Sequence, residues 1–152
     1  MEKERRENES KTGRSGLAED FVTPEELLEW TRAMVAIPSY SGRKDQEAGV
    51  GRYIKEIFDR EGIECRIAPL KDGRCNVYAR LPGKGGGRSL LLNGHMDTVP
   101  AYGMEKAYEP WTDENGFLHG RGTSDMKGPL AAMMGAVIAL KRSGAILGGD
   151  LI

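Results

Sequence analysis

At Gly62 the apolar spacing of the chain changes period, and that change limits the folds open to it. Before it, Val50, Tyr53, Ile54, Ile57 and Phe58 recur at i, i+3, i+4, i+7 and i+8, the spacing of one helix face. After it, Ile63, Cys65 and Ile67, then Cys75, Val77, Ala79 and Leu81, alternate with polar residues. That is the spacing of strands with one buried face. Between the two alternating stretches lies Lys71-Asp-Gly-Arg74, whose Asp72-Gly73 is a turn dipeptide. The pattern predicts a helix over 45–61, stopped by Gly62, and then a half-buried antiparallel hairpin.

The flanking elements complete an α/β order. Thr23-Pro-Glu-Glu26 is a helix start: Thr23 as N-cap, Pro24 at the first helical position and Glu26 closing a capping box. Leu27, Leu28, Thr31, Met34 and Val35 then share a face, and the helix should end before Pro38. Pro82–Gly87 reads as a flexible turn, without the Gly-Lys-Ser/Thr of a phosphate loop. Ser89-Leu-Leu-Leu-Asn93 reads as a strand buried on both faces. A third helix is predicted from Met126 to Ser143, with Leu130, Met134, Val137 and Ile138 as its core stripe. Ala131, Ala132, Gly135, Ala136 and Ala139 would let that helix approach a sheet closely. Leu151-Ile152 begins another buried strand. Helices, hairpin and buried strands together predict an α/β layered fold with a mixed sheet flanked by helices. Residues 1–22 are expected to form a disordered polar tail, because so few apolar side chains cannot offset its ordering entropy.

Charge and cysteine content narrow the function classes. The 22 Lys and Arg balance 23 Asp and Glu among 152 residues, which argues against nucleic acid or an anionic membrane as partner. Cys65 and Cys75 form no Cys-x-x-Cys pair and read as free thiols. No run of about 18 apolar residues suggests a membrane span. The start Met-Glu-Lys-Glu-Arg-Arg lacks an apolar signal core, so the expected location is cytoplasmic.

Three residues could carry chemistry. His95 directly follows the Leu90-Leu91-Leu92 run, and ligand sites of open α/β sheets gather at the carboxyl ends of strands. Asp97 lies two residues on, on the same side of an extended segment. Its carboxylate can accept the second imidazole N–H and fix the tautomer. Without a metal, the same spacing describes a strand-end histidine bonded to Asp97. Asp125 precedes the third helix among Gly120, Gly122 and Gly128. It could be a simple N-cap, or a carboxylate fixed where it can bridge two cations. His119 reads as an exposed loop side chain.

Gly94-His-Met-Asp-Thr-Val-Pro100 and Gly120-Arg-Gly-Thr-Ser-Asp-Met-Lys-Gly128 together resemble the two N-terminal signatures of the M20 metallopeptidases. That family includes acetylornithine deacetylase, succinyl-diaminopimelate desuccinylase and carboxypeptidase G relatives. The resemblance covers about residues 23–152, including Ile37-Pro-Ser-Tyr-Ser-Gly42. It implies the N-terminal segment of a catalytic domain with a zinc-dependent exopeptidase-like layered fold, truncated at Ile152, with the lid domain and C-terminal half absent. It implies that His95 binds a metal, that Asp125 bridges two, and that Asp97 orients His95 as the catalytic residue of the set. It implies a cis peptide between Asp125 and Met126. The cofactor would be zinc, two ions in the complete enzyme, with cobalt or manganese as substitutes. The activity would be hydrolysis of the amide bond of an N-acyl amino acid or small peptide bearing a carboxylate. A full-length relative would form a homodimer. The family's Glu-Glu pair, later acidic ligand and later histidine have no counterpart here, so the chain is expected to be inactive alone.

Two other readings compete. A non-catalytic half-domain could serve as a binding or dimerising module, although such a scaffold has no physical need for His95, Asp97 and Asp125 together. A nucleotide-binding domain is a poor match: Gly120-x-Gly122-x-x-Asp125 is not Gly-x-Gly-x-x-Gly and follows a loop rather than a strand.

Overall fold

The computed structural model describes residues 20–152. The expected tail therefore lies almost wholly outside the described residues. Helix α1 spans Pro24–Ala36. Thr23 accepts from the Glu26 N–H at 3.2 Å, and the Glu26 carboxylate accepts from the Thr23 N–H at 2.9 Å, which is the predicted capping box. Its inward residues are Trp30, Thr31, Met34 and Val35. Leu28, expected on that face, is exposed. Trp30 supplies the bulk instead.

Helix α2 spans Ala48–Arg60 and starts three residues later than the spacing predicts. Asp45 and Gln46 take positive φ of 60° and 23°, a conformation that L-residues cannot carry into a helix. Val50, Ile54, Ile57 and Phe58 are buried along one stripe, with Tyr53 packed at its margin. Strands β1 (Glu64–Pro69) and β2 (Cys75–Arg80) pair antiparallel from Glu64↔Arg80 to Pro69↔Cys75. The predicted Asp72-Gly73 turn joins them. The chain then extends this sheet: Leu81 bridges Leu151 antiparallel, and Leu151 bridges Leu90 parallel. The sheet is mixed, as predicted. Cys65 and Cys75 are free thiols.

Helix α3 spans Gly128–Ser143 and ends at Gly144. The helical pattern extends two residues too far toward the N-terminus, because Thr123–Lys127 forms a wide turn in which Asp125 and Met126 leave helical φ/ψ. Leu130, Met134, Val137 and Ile138 are buried as expected. The small residues behave differently from the prediction. A Cβ on Gly135 would stand 2.5 Å from Leu27 of α1, so the close approach is helix to helix; Ala132 and Ala136 face outward.

The apolar run is the larger departure. Leu90 and Leu91 are 59% and 63% exposed, not buried on both faces. Hydrogen bonds join the run to Asp150 and Ile152 on one side only: Leu90 N to Asp150 O, Leu92 N to Ile152 O and Ile152 N to Leu90 O, at 2.8–2.9 Å. With one strand neighbour among the described residues, only Leu92 turns into the core. The Pro82–Gly87 turn is tied down rather than loose, with Lys84 N donating to Leu147 O and Gly87 N to Gly148 O. Helices α1, α2 and α3 and the inward sheet residues form one core cluster. Among the described residues no helix is long and apolar enough to cross a membrane.

Candidate metal centre

The segment after Leu92 runs across the core and carries His95, Asp97 and Thr98. It is held by parallel bonding to the loop after α1: Thr98 N donates to Ser39 O at 3.1 Å and Ser41 N to Thr98 O at 3.3 Å. The Thr123–Lys127 turn approaches from the other side. The His95 N–H points at the Met126 thioether sulfur, 3.2 Å away. The Asp125–Met126 peptide is cis, as the resemblance implies. Helix α3 starts at Gly128 with Lys127 as its N-cap, which leaves Asp125 outside the helix. The simple N-cap reading of Asp125 is overturned.

This arrangement brings the three sequence-derived residues together. His95 Nε2 stands 2.9 Å from Asp125 Oδ1. On the opposite side of the ring, Nδ1 is 3.1 Å from the Asp97 carbonyl oxygen and 3.3 Å from its carboxylate. Asp97 thus engages the ring through its backbone as well as its side chain. Both ring nitrogens face oxygen acceptors, so a neutral imidazole leaves one of them unsatisfied; with its proton on Nδ1, the Nε2 lone pair points at Asp125. Two lone pairs 2.9 Å apart repel, so the pair requires a positive species: the second imidazole proton or a cation. The surroundings of His95 make the same demand. Burial alone pulls its pKa down, but the Asp125 hydrogen bond, the Asp97 carbonyl and both charges outweigh burial and raise it above 6.5. Imidazole nitrogen with carboxylate oxygen is a donor set suited to zinc-like ions. Among the described residues, no three His, Cys, Asp or Glu side chains group to enclose an ion. The residues present therefore fit part of a metal shell. Asp125 is 86% exposed, so one side of the pair is open.

A groove of about 530 Å³ opens over the pair, walled by Val99, Tyr102, Met104, Leu118 and His119. Beneath His95 lies a mostly apolar cavity of about 330 Å³, lined by Phe58, Val77, Leu92, Leu130 and Met133 among others. His119 is more than an exposed loop residue. It stands on a short antiparallel pair, β3 (Trp111–Thr112) with β4 (Leu118–His119). Its ring stacks on Trp111 with centroids 4.4 Å apart, and Nε2 meets Asp113 Oδ2 at 2.9 Å. The Asp113-Glu-Asn-Gly116 turn between two short apolar stretches was the available signal. Sequence reasoning also assigned no role to Lys127. That side chain has no exposed surface, and burial pushes its ammonium down to about 8.

The model of peptidase family M20/M25/M40 matches residues 91–151, the stretch holding His95, Asp97 and Asp125. A protein of Staphylococcus epidermidis described as "Probable succinyl-diaminopimelate desuccinylase" is 36% identical over 123 residues, covering 79% of this chain and 30% of that protein. The chain is similar to peptidase family M20 over this stretch. Two solved structures share its fold. The dipeptidase Dug1p of Saccharomyces cerevisiae superposes with a TM-score of 0.67 at 23% identity, over 88% of this chain and 32% of that one. The M20 metallo-carboxypeptidase Sso-CP2 of Sulfolobus solfataricus gives 0.67 at 24% identity, over 83% and 29%. The chain spans about a third of the length of each of these proteins.

Proposed function

We propose that this chain supplies part of the metal site of an amide-bond hydrolase. In this reading His95 and Asp125 are ligands, and Asp97 holds the His95 ring. Residues 23–152 then form a segment of the catalytic domain. The observation that carries the reading is the His95–Asp125 pair, open to a groove and oriented from behind by Asp97. The described relatives, a desuccinylase, a dipeptidase and a carboxypeptidase, all act on amide bonds. That supports an N-acyl amino acid or small peptide bearing a carboxylate as substrate class.

Zinc-like cations held there would supply the positive charge that acidifies a water and polarises a scissile carbonyl. The chain's own residues do the rest. Asp97 keeps the proton on Nδ1 and so keeps Nε2 a donor to a cation. Val99, Tyr102 and Met104 offer apolar wall to a substrate in the groove. A catalytic zinc takes about three protein ligands and a water, and in this reading the chain offers two, His95 and Asp125. We therefore propose weak metal binding and no turnover for the chain alone.

Calorimetric titration of the chain with Zn²⁺ tests this. Binding is expected in the wild type and should be abolished by His95→Ala or Asp125→Ala. Asp97→Asn should weaken it about 10- to 100-fold, the usual cost of losing a residue that orients a ligand. A wild type that binds zinc no better than the His95→Ala/Asp125→Ala double variant would sink the metal reading. Amine release from an N-acyl amino acid by the isolated chain would refute the proposed inactivity.

A further inference from the structure

Lys127 is completely buried, and its Nζ donates to the Ile37 carbonyl oxygen at 2.8 Å. No carboxylate accompanies it among the described residues. An ammonium with a single neutral acceptor is a poor way to stabilise a core, since a methionine of similar length would avoid the desolvation cost. Its connections suggest a different purpose. Ile37 caps the C-terminal end of α1. Two residues later, the Ser39 carbonyl accepts the Thr98 N–H, and Thr98 adjoins Asp97. At its other end, the Lys127 N–H closes the turn onto Gly122 O at 2.8 Å. Its Cδ and the Thr98 methyl both press on Gly122, where a Cβ would stand 3.3 Å and 2.6 Å from them. Lys127 therefore ties the turn that carries Asp125 to the segment that carries His95. Asp125 needs such an anchor, because its own side chain is 86% exposed and has no packing to place it.

We propose that Lys127 is a positioning residue: its buried ammonium, bonded to Ile37, sets where the Asp125 carboxylate stands against His95. This rests on reading His95 and Asp125 as the ligand pair. The test is Lys127→Met in the full chain, read by long-range ¹H–¹⁵N NMR of the His95 ring and by Zn²⁺ titration. The expected variant melts at or above the wild-type temperature. Its His95 Nε2 resonance moves toward that of Asp125→Ala, and its zinc Kd rises at least tenfold. A Lys127→Met chain that keeps the wild-type His95 spectrum overturns the proposal. If Lys127→Met does not fold, Lys127→Gln is read the same way. Loss of folding in both also overturns it, since Lys127 would then serve the whole core. A wild type that binds no zinc defeats the metal reading alone, because the His95 spectrum still reports where Asp125 stands.

Discussion

Gly122 shows how narrowly the site is built at the level of one residue. Its φ is 89°, and a Cβ there would stand 2.6 Å from the Thr98 methyl. Gly122→Ala therefore meets both a left-handed backbone penalty and a clash, together on the order of 2–4 kcal/mol. The urea midpoint should fall accordingly, and an unchanged midpoint would show that the turn relaxes freely. The sequence exposes this crowding only indirectly, through three glycines around one aspartate. That His95, Asp97 and Asp125 belong together was legible through the resemblance of the two motifs that carry them, since neither motif alone points beyond a strand-end histidine and a helix cap; the structure brings the three within hydrogen-bonding distance. Lys127 was not legible, since a lysine in a sequence reads as surface and only tertiary packing reveals that this one is enclosed. His119 was misjudged for a related reason: its stacking on Trp111 joins residues eight apart through a turn that periodicity does not detect.

Among the elements, α1 was the most legible, because its capping box is a local device written in four residues. Thr23→Ala removes one partner of that box and should cost about 1 kcal/mol, seen as a lower melting temperature with the fold retained. The start of α2 was less legible, since helical spacing continues through Asp45 and Gln46 while their backbone does not. The sheet is closed by a contact that no local pattern announces. Arg80 at the end of β2 bonds Asp150 at 2.8 Å, and Asp150 also accepts from Gly83 N at 2.9 Å. The Arg80 hydrogen bond, the Gly83 N–H and the Arg80 charge outweigh burial and hold the Asp150 pKa below its ordinary 3.8. A carboxylate with a lowered folded pKa contributes stability that is fully present above the unfolded value. That contribution is lost as pH falls through the folded one. Asp150→Asn should therefore unfold at lower urea than wild type near neutrality, with the gap closing as the pH falls below the ordinary carboxylate value of 3.8. A gap that stays constant with pH would mean that the ion pair contributes nothing to folding.

Across the whole molecule, one edge sets behaviour in solution. The Leu90–Leu92 run is bonded to Asp150–Ile152 on one side, and Leu90, Leu91 and Ile152 are 59%, 63% and 41% exposed. Leu91 also lines the apolar cavity beneath His95. An exposed apolar strand with free backbone donors and acceptors is a template for pairing with another chain. Natural sheets protect such an edge with charge, a bulge or a covering element; among the described residues none of these lies on Leu90 or Leu91. The relatives are about three times longer than this chain, so in them sequence beyond the matched segment is available to cover the same edge. For the chain alone, the exposed edge predicts association that grows with concentration. Sedimentation velocity across a hundredfold concentration range should show it. Leu91→Lys places a charge at the centre of the edge and should shift the population to monomer without lowering the melting temperature, since the leucine side chain gains little burial where it stands. Wild-type chain that stays monomeric throughout, or a Leu91→Lys variant that associates as readily, would mean that this edge is closed by something other than a partner strand.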